Sequence, residues 1–167
     1  MVRPIIIPIL VVAASVLALP AFAGQDLVGP VSREDILAHS PAWRDGVAAY
    51  APDPAAIEKL RGLTRETRIE VFLATWCRDS AAHVPAFFKV LDLADTPRLE
   101  VSYVALPRAR EERAPYCGDR AIERIPTFIV FVGGREAGRI VETPETSVEA
   151  DLARILGLLS LIHISEP

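Results

Sequence analysis

The sequence predicts an α/β fold, a mixed central β-sheet flanked by helices, behind an N-terminal helical extension. Three observations carry this. The apolar segments between Arg68 and Leu158 run strand, helix, strand, helix, hairpin, helix, an order that implies a mixed sheet with helices on both faces. Gly133-Gly134 separates two strand-like segments, the mark of a tight hairpin. Residues 24–67 are cut by Ser, Asp and Pro into short pieces with apolar residues at helical spacing.

The ends are read apart from the fold. Residues 1–23 hold eighteen hydrophobic residues and one charge, Arg3. The apolar run Ile5–Leu19 behind a basic start, with Ala21-Phe22-Ala23 before Gly24, fits a secretory signal peptide. The competing reading is an uncleaved anchor over Ile5–Ala23, weakened by Pro4, Pro8 and Pro20. Either reading places the folded part across a membrane, in the bacterial case the periplasm, where thiols can oxidise. Residues 159–167, Leu-Ser-Leu-Ile-His-Ile-Ser-Glu-Pro, resemble an in-frame translation of a transposase adapter used in sequencing libraries. A genuine apolar tail is the alternative. His163 is therefore kept out of any site.

Each element has its own signal. Ser32 with Asp35 predicts a capping-box start for a helix through Leu37 and His39. Ser40-Pro41 opens a second helix with Trp43, Val47 and Tyr50 in phase, and Asp53-Pro54 a third with Ile57, Leu60 and Leu63 on one face. Ile69–Ala74 is a short apolar run predicted to be a buried strand. A helix follows with Val84, Phe87, Phe88, Leu91 and Leu93, and then a strand over Leu99–Leu106, favoured by Val101, Tyr103 and Val104. A charged loop, Pro107–Pro115, precedes a short helix around Asp119–Arg124. Ile125–Val132 and Arg135–Val141 read as the hairpin strands. The last helix is expected to start at Thr146, with Glu149 completing a capping box and Val148, Leu152, Ile155 and Leu156 inward.

Composition excludes several function classes. The chain has 167 residues, 51% hydrophobic and 24% charged, with a net charge of −4. One domain with a real core is expected, and nothing marks a nucleic-acid binder. Two cysteines and three histidines do not make a disulfide scaffold or a metal cage, and no cofactor is expected. His83 reads as a surface histidine, and His39 has no Cys or acidic cluster beside it. Arg108, Arg110 and Arg113 are interleaved with Glu111 and Glu112 and read as a solvated loop.

Cys77 is the most informative residue. It follows a buried strand and begins a helix, so its sulfur is expected among unpaired N–H groups at the positive end of the macrodipole. Such a position favours the thiolate, the reactive form. Arg78 adds positive charge and Asp79 opposes it.

Here the chain resembles the thioredoxin superfamily, and within it a bacterial branch of exported thioredoxin-like proteins. The residues that carry the likeness are Trp76-Cys77-x-x-Ser80, Pro85, and Ile125-Pro126-Thr127 before a Phe-rich strand, joined by Gly133-Gly134 and the stretch from Gly138 to Glu149. The resemblance covers about 68–158. It implies a thioredoxin-like fold, a helix Pro at Pro85, a cis Pro126 against the active sulfur, and Trp76 as a lid beside it. Cys77, Ser80 and Pro126 are then the catalytic set, and Trp76, Arg78 and Ile125 a substrate groove. The partners implied are protein thiols or disulfides, or a redox partner protein.

The departures shape the expected activity. Ser80 stands where a dithiol enzyme has its resolving cysteine, so Cys77 can form a mixed disulfide that no thiol three residues on can release. Ser80 is a candidate hydrogen-bond donor to the thiolate. The acidic residue that many members bury beneath the site is missing: Val71 is six residues before Cys77, and Glu70 is expected on the other face. Cys117 is a possible resolving thiol, or an incidental one, depending on its distance from Cys77. Ala74, where a peroxiredoxin-like enzyme has Thr, argues against a peroxidase. Two functions remain open: monothiol exchange or isomerisation, and a non-redox peptide-binding module.

Overall fold

The computed structural model describes residues 25–158. The expected leader (1–23) and the expected adapter-derived tail (159–167) lie outside the described residues. Within them the chain forms five strands, β1 (Gly29–Val31), β2 (Thr67–Leu73), β3 (Leu99–Ala105), β4 (Thr127–Val132) and β5 (Arg135–Val141). The helices are α1 (Arg33–His39), α2 (Pro41–Ala49), α3 (Pro54–Arg61), α4 (Arg78–Ala94), α5 (Ala114–Cys117) and α6 (Val148–Ile155). A single 3-10 turn covers Arg110–Glu112.

Helix starts follow local chemistry. Ser32 and Asp35 form the full capping box of α1. Ser40 caps α2 through Ala42 N–H, and Asp53 caps α3 through Ala55 N–H, each with Pro in the first turn, where its missing N–H costs nothing. The expected α6 start is corrected by one residue. Ser147, not Thr146, is the cap, its Oγ accepting from Ala150 N–H at 3.3 Å. Glu149 is turned inward instead of closing a box: Oε2 accepts from Tyr50 Oη at 2.8 Å and Oε1 from Asp53 N–H at 3.0 Å. A buried carboxylate needs such donors, and these tie the α2–α3 corner to α6.

The sheet is mixed, in the order β1-β3-β2-β4-β5. Only β2 and β3 run parallel, Thr67 to Leu73 pairing Leu99 to Ala105 in register. The other neighbours are antiparallel. Gly133 and Gly134 have φ of +58° and +79°, as a primed hairpin turn requires at both central positions. β1 lies within the stretch read as a helical extension. Its three residues pair with Ala105, Val104 and Tyr103, and a strand that short has no periodicity to announce it. The helix expected around Asp119–Arg124 is also displaced: α5 ends at Cys117, and Gly118, at φ +52°, follows.

Helices are distributed unequally. Ile69, Val71 and Leu73 of β2 share one cluster with Ile36 of α1, Trp43 of α2, Leu60 of α3, Phe87 of α4 and Leu152 of α6. Among the described residues five helices therefore cover one face and α5 alone lies over the other, so helices flank both faces as expected, in unequal number. Phe87 and Phe128 anchor that side, ring centroids 5.2 Å apart; each wholly buried Phe contributes about 2–3 kcal/mol. Where α2 crosses α4, Gly46 lies on Pro85, and a Cβ there would come within 3.0 Å of the proline ring. The opposite face holds a smaller cluster, Phe72, Ala74, Leu106, Ile125, Ile129 and Phe131. Over it lie the β2–α4 turn, through Trp76 and Cys77, and the segment between β3 and β4. That segment contains a single-turn helix because Pro115 favours its start and Gly118, whose φ of +52° suits glycine, stops it.

Candidate active site around Cys77

The site forms where β2 gives way to α4. Cys77 is the residue before the helix, at φ −89° and ψ 127°, with no side-chain cap bond. Its backbone N–H donates to Ala74 O at 3.1 Å, and its carbonyl accepts from Ala81 N–H at 3.0 Å. The turn from Ala74 to Cys77 thus places the residue at the start of α4, beside the N–H groups that a helix leaves free in its first turn. Thr75 Oγ1 accepts from Leu27 N–H at 3.1 Å, so the segment before β1 braces the same turn.

Facing Cys77 is the approach to β4. The Ile125–Pro126 peptide is cis, and Cys77 Sγ donates to Ile125 O at 3.5 Å. Glu142 N–H donates to Pro126 O at 2.7 Å, Thr127 Oγ1 to Arg124 O at 2.7 Å, and Arg124 pairs with Glu142 at 2.6 Å. These bonds lash the proline loop to the end of β5. Pro126 and the Ile125 side chain are buried, so Ile125 offers its carbonyl to the sulfur rather than an apolar surface to solvent. Arg78 is exposed on the first turn of α4.

Ser80 is not a partner of the sulfur. Its side chain is wholly buried, and Oγ accepts from Ala74 N–H at 3.2 Å. Among the described residues no hydrogen bond joins Ser80 to Cys77. The helical turn carries position 80 back under the end of β2, so its hydroxyl braces the Cys77 turn from below.

Trp76 is half-buried, its Nε1 donating to Leu106 O at 3.1 Å. Two guanidinium groups lie over its ring, Arg108 at 5.4 Å and Arg113 at 5.3 Å, each within cation–π range. Arg113 is fixed by Pro107 O and Arg108 O, and Arg108 by Asp26. Two of the arginines read as a solvated loop are thus built into the wall of the site. Sequence spacing carried no signal for this, since the contact spans more than thirty residues.

Val71 is buried on the helical face. Glu70 lies on the other face, where Arg68 and Arg120 both pair with it and both stack on Phe131. No acid lies beneath Cys77 on β2. Cys117 ends α5 and is half-buried against the same cluster as Cys77 and Trp76; both cysteines are free thiols. Burial pushes the Cys117 thiol up, and the charge of Arg113 partly offsets this. Beside Cys117 a groove of about 480 Å³ runs over Glu70, Phe72, Ser102 and Val104 to Arg120. His83, on α4, lies away from the sulfur in a hollow with Tyr50 and Ser147; burial lowers its pKa and Asp79 raises it. Among the described residues no group of three or more His, Cys, Asp or Glu could hold a metal.

A mixed five-stranded sheet with a cysteine at the helix following β2, facing the carbonyl before a cis proline, defines a protein of thioredoxin-like fold. The sequence profile of a family described as Thioredoxin matches residues 40–153, and the chain belongs to that family. Among solved structures it is similar to a protein of unknown function from Pseudomonas aeruginosa, at 19% identity and a TM-score of 0.56, over 77% of this chain and 91% of that one. It is also similar to an HIV epitope scaffold, at 20% identity and a TM-score of 0.54, over 77% and 84%. Those likenesses show the fold. No curated protein matches the chain.

Proposed function

We propose that the protein is an exported thiol–disulfide oxidoreductase that works through Cys77 by monothiol exchange or isomerisation. The observation that carries this is the 3.5 Å approach of Cys77 Sγ to Ile125 O, which holds the sulfur between a helix N-terminus and the proline loop. In the exchange, the Cys77 thiolate attacks one sulfur of a substrate disulfide. The substrate S–S bond breaks, one substrate thiolate leaves, and a mixed disulfide remains. A second substrate thiolate then attacks its partner sulfur and releases Cys77, so disulfides are reshuffled with no net oxidation. An extended substrate lies along Trp76 and the Ile125–Pro126 edge, with Arg78 at its rim.

The test is refolding of a scrambled disulfide protein in a thiol buffer. Wild-type chain is expected to accelerate recovery and Cys77→Ser to lose the acceleration; equal rates refute the reading. A second reading is a peptide-binding module without turnover, and it is favoured by the burial of Ser80, which leaves the resolving position inert. That reading expects peptide affinity with no acceleration in either protein. Export is tested by the mass of chain recovered from the periplasm: a start at Gly24 supports a cleaved leader, and a start at Met1 overturns it.

A further inference from the structure

We propose that Cys117 resolves the mixed disulfide formed on Cys77, displacing the substrate and closing a Cys77–Cys117 disulfide. This deepens the reading of Cys77 as the attacking thiol and rests on it. The placement of the two sulfurs is the first argument. Cys77 and Cys117 border one apolar cluster, that of Phe72, Leu106 and Ile125, and Ile125 is the residue whose carbonyl meets Cys77 Sγ. Their neighbourhoods also share a side chain. Arg113 lies 5.3 Å from the ring of Trp76, next to Cys77 in the chain, and its charge acts on the Cys117 thiol.

The usual resolving position supplies nothing, because Ser80 is buried beneath Ala74. A disulfide requires the two Cα atoms to come within about 7 Å, and the proposal asks α5 to bring Cys117 to that distance. Its backbone bonds run from Tyr116 and Cys117 N–H to Arg113 O and from Gly118 N–H to Ala114 O. Among the described residues none joins α5 to the sheet ladder. A groove lies beside Cys117 and Gly118 behind it has a positive φ of +52°, so a shift of the single turn would break no strand pair.

Order of attack follows from burial. Glu70, Asp119 and Arg120 line the groove with Cys117, and the charge of Arg113 acts on its thiol. Desolvation nevertheless dominates and raises the Cys117 thiol above its ordinary value, which disfavours its thiolate as the first attacker. In the second step Cys117 gives its proton to water, and its thiolate attacks Cys77 Sγ. The Cys77–substrate bond breaks and the second substrate thiolate leaves. The substrate disulfide has gained the two electrons that the two cysteines lost.

One equivalent of an aromatic disulfide that releases a coloured thiolate tests this on the full chain, with intact mass as second readout. Wild type is expected to release two thiolates and end two hydrogens lighter, carrying no aryl group. Cys117→Ser and Cys117→Ala are each expected to release one and keep an aryl adduct on Cys77. Intramolecular thiols act at roughly millimolar effective concentration, so the second release in wild type should be about a thousandfold faster than any loss of adduct from either variant at about micromolar protein. Wild type that retains one aryl group as long as the variants do overturns the role of Cys117 alone. Variants that form no adduct on Cys77 overturn the reading of Cys77 together with it.

Discussion

Glu149 is the junction where the N-terminal helices meet α6, and replacing it gives a worked test of the packing. Its carboxylate is 2% exposed and accepts from Tyr50 Oη at 2.8 Å and Asp53 N–H at 3.0 Å. Glu149→Ala leaves both donors in the interior without an acceptor, at about 1–3 kcal/mol each. Relief from burying a charge returns part of that, so a net loss of about 2–4 kcal/mol is expected. Glu149→Gln keeps the shape. Its amide oxygen can accept from Asp53 N–H while its NH₂ donates to the Tyr50 hydroxyl, which rotates to accept, so only charge assistance is lost, about 1 kcal/mol. At about 4 °C per kcal/mol for a domain of this size, thermal unfolding followed by circular dichroism should show Tm falling by about 8–16 °C for Ala and by about 4 °C for Gln. Tyr50→Phe combined with Glu149→Ala should cost less than the two singles added, because each single already breaks the shared bond. An Ala variant within about 2 °C of wild type, or Ala and Gln variants that match, would refute this account of the junction.

Two further outcomes follow from the titrating groups. Burial, first of all, raises the ionisation of the Tyr50 and Tyr103 hydroxyls above the ordinary 10. An unfolded tyrosine ionises near 10 while these stay protonated, so their contribution is intact below pH 10 and is lost as pH rises above it. For Tyr103 the loss is up to about 1.4 kcal/mol per pH unit, and for Tyr50, which water reaches, it is less. Urea midpoints between pH 9 and 12 should fall in wild type and fall less steeply in Tyr103→Phe; parallel curves would contradict this. Arg113→Ala removes the positive charge that lowers the Cys117 thiol and one guanidinium stacked on Trp76. Alkylation of Cys117 at pH 8, read by peptide mass, should slow, and an unchanged or faster rate would refute the assignment.

Much of the fold was legible because local chemistry and final structure agree. Ser32 with Asp35, Ser40-Pro41 and Asp53-Pro54 each satisfy helix N–H groups with the atoms beside them, so α1, α2 and α3 could be read directly. The hairpin was legible because only glycine takes the two positive φ values of its turn cheaply. What failed to show depends on distant partners. β1 exists only because the edge of β3 accepts it. Glu149 sits at the spacing of a capping box, yet Tyr50 and Asp53, nearly a hundred residues away, claim it. At the site, Cys77 and Ile125–Pro126 could be named from motif spacing, and they do meet. The stacking of Arg108 and Arg113 on Trp76, and the withdrawal of Ser80 beneath Ala74, arise from tertiary packing that no local pattern encodes.

The role of Cys77 can be decided by one rate. Mixed-disulfide formation with a disulfide-containing peptide at neutral pH, quenched with acid and located by peptide mass, should be found at Cys77 in the Cys117→Ser chain and should outpace the reaction of Cys117 in the Cys77→Ser chain by about tenfold or more. Equal rates at the two cysteines, or an adduct found only on Cys117, would contradict the assignment of Cys77 as the attacking thiol.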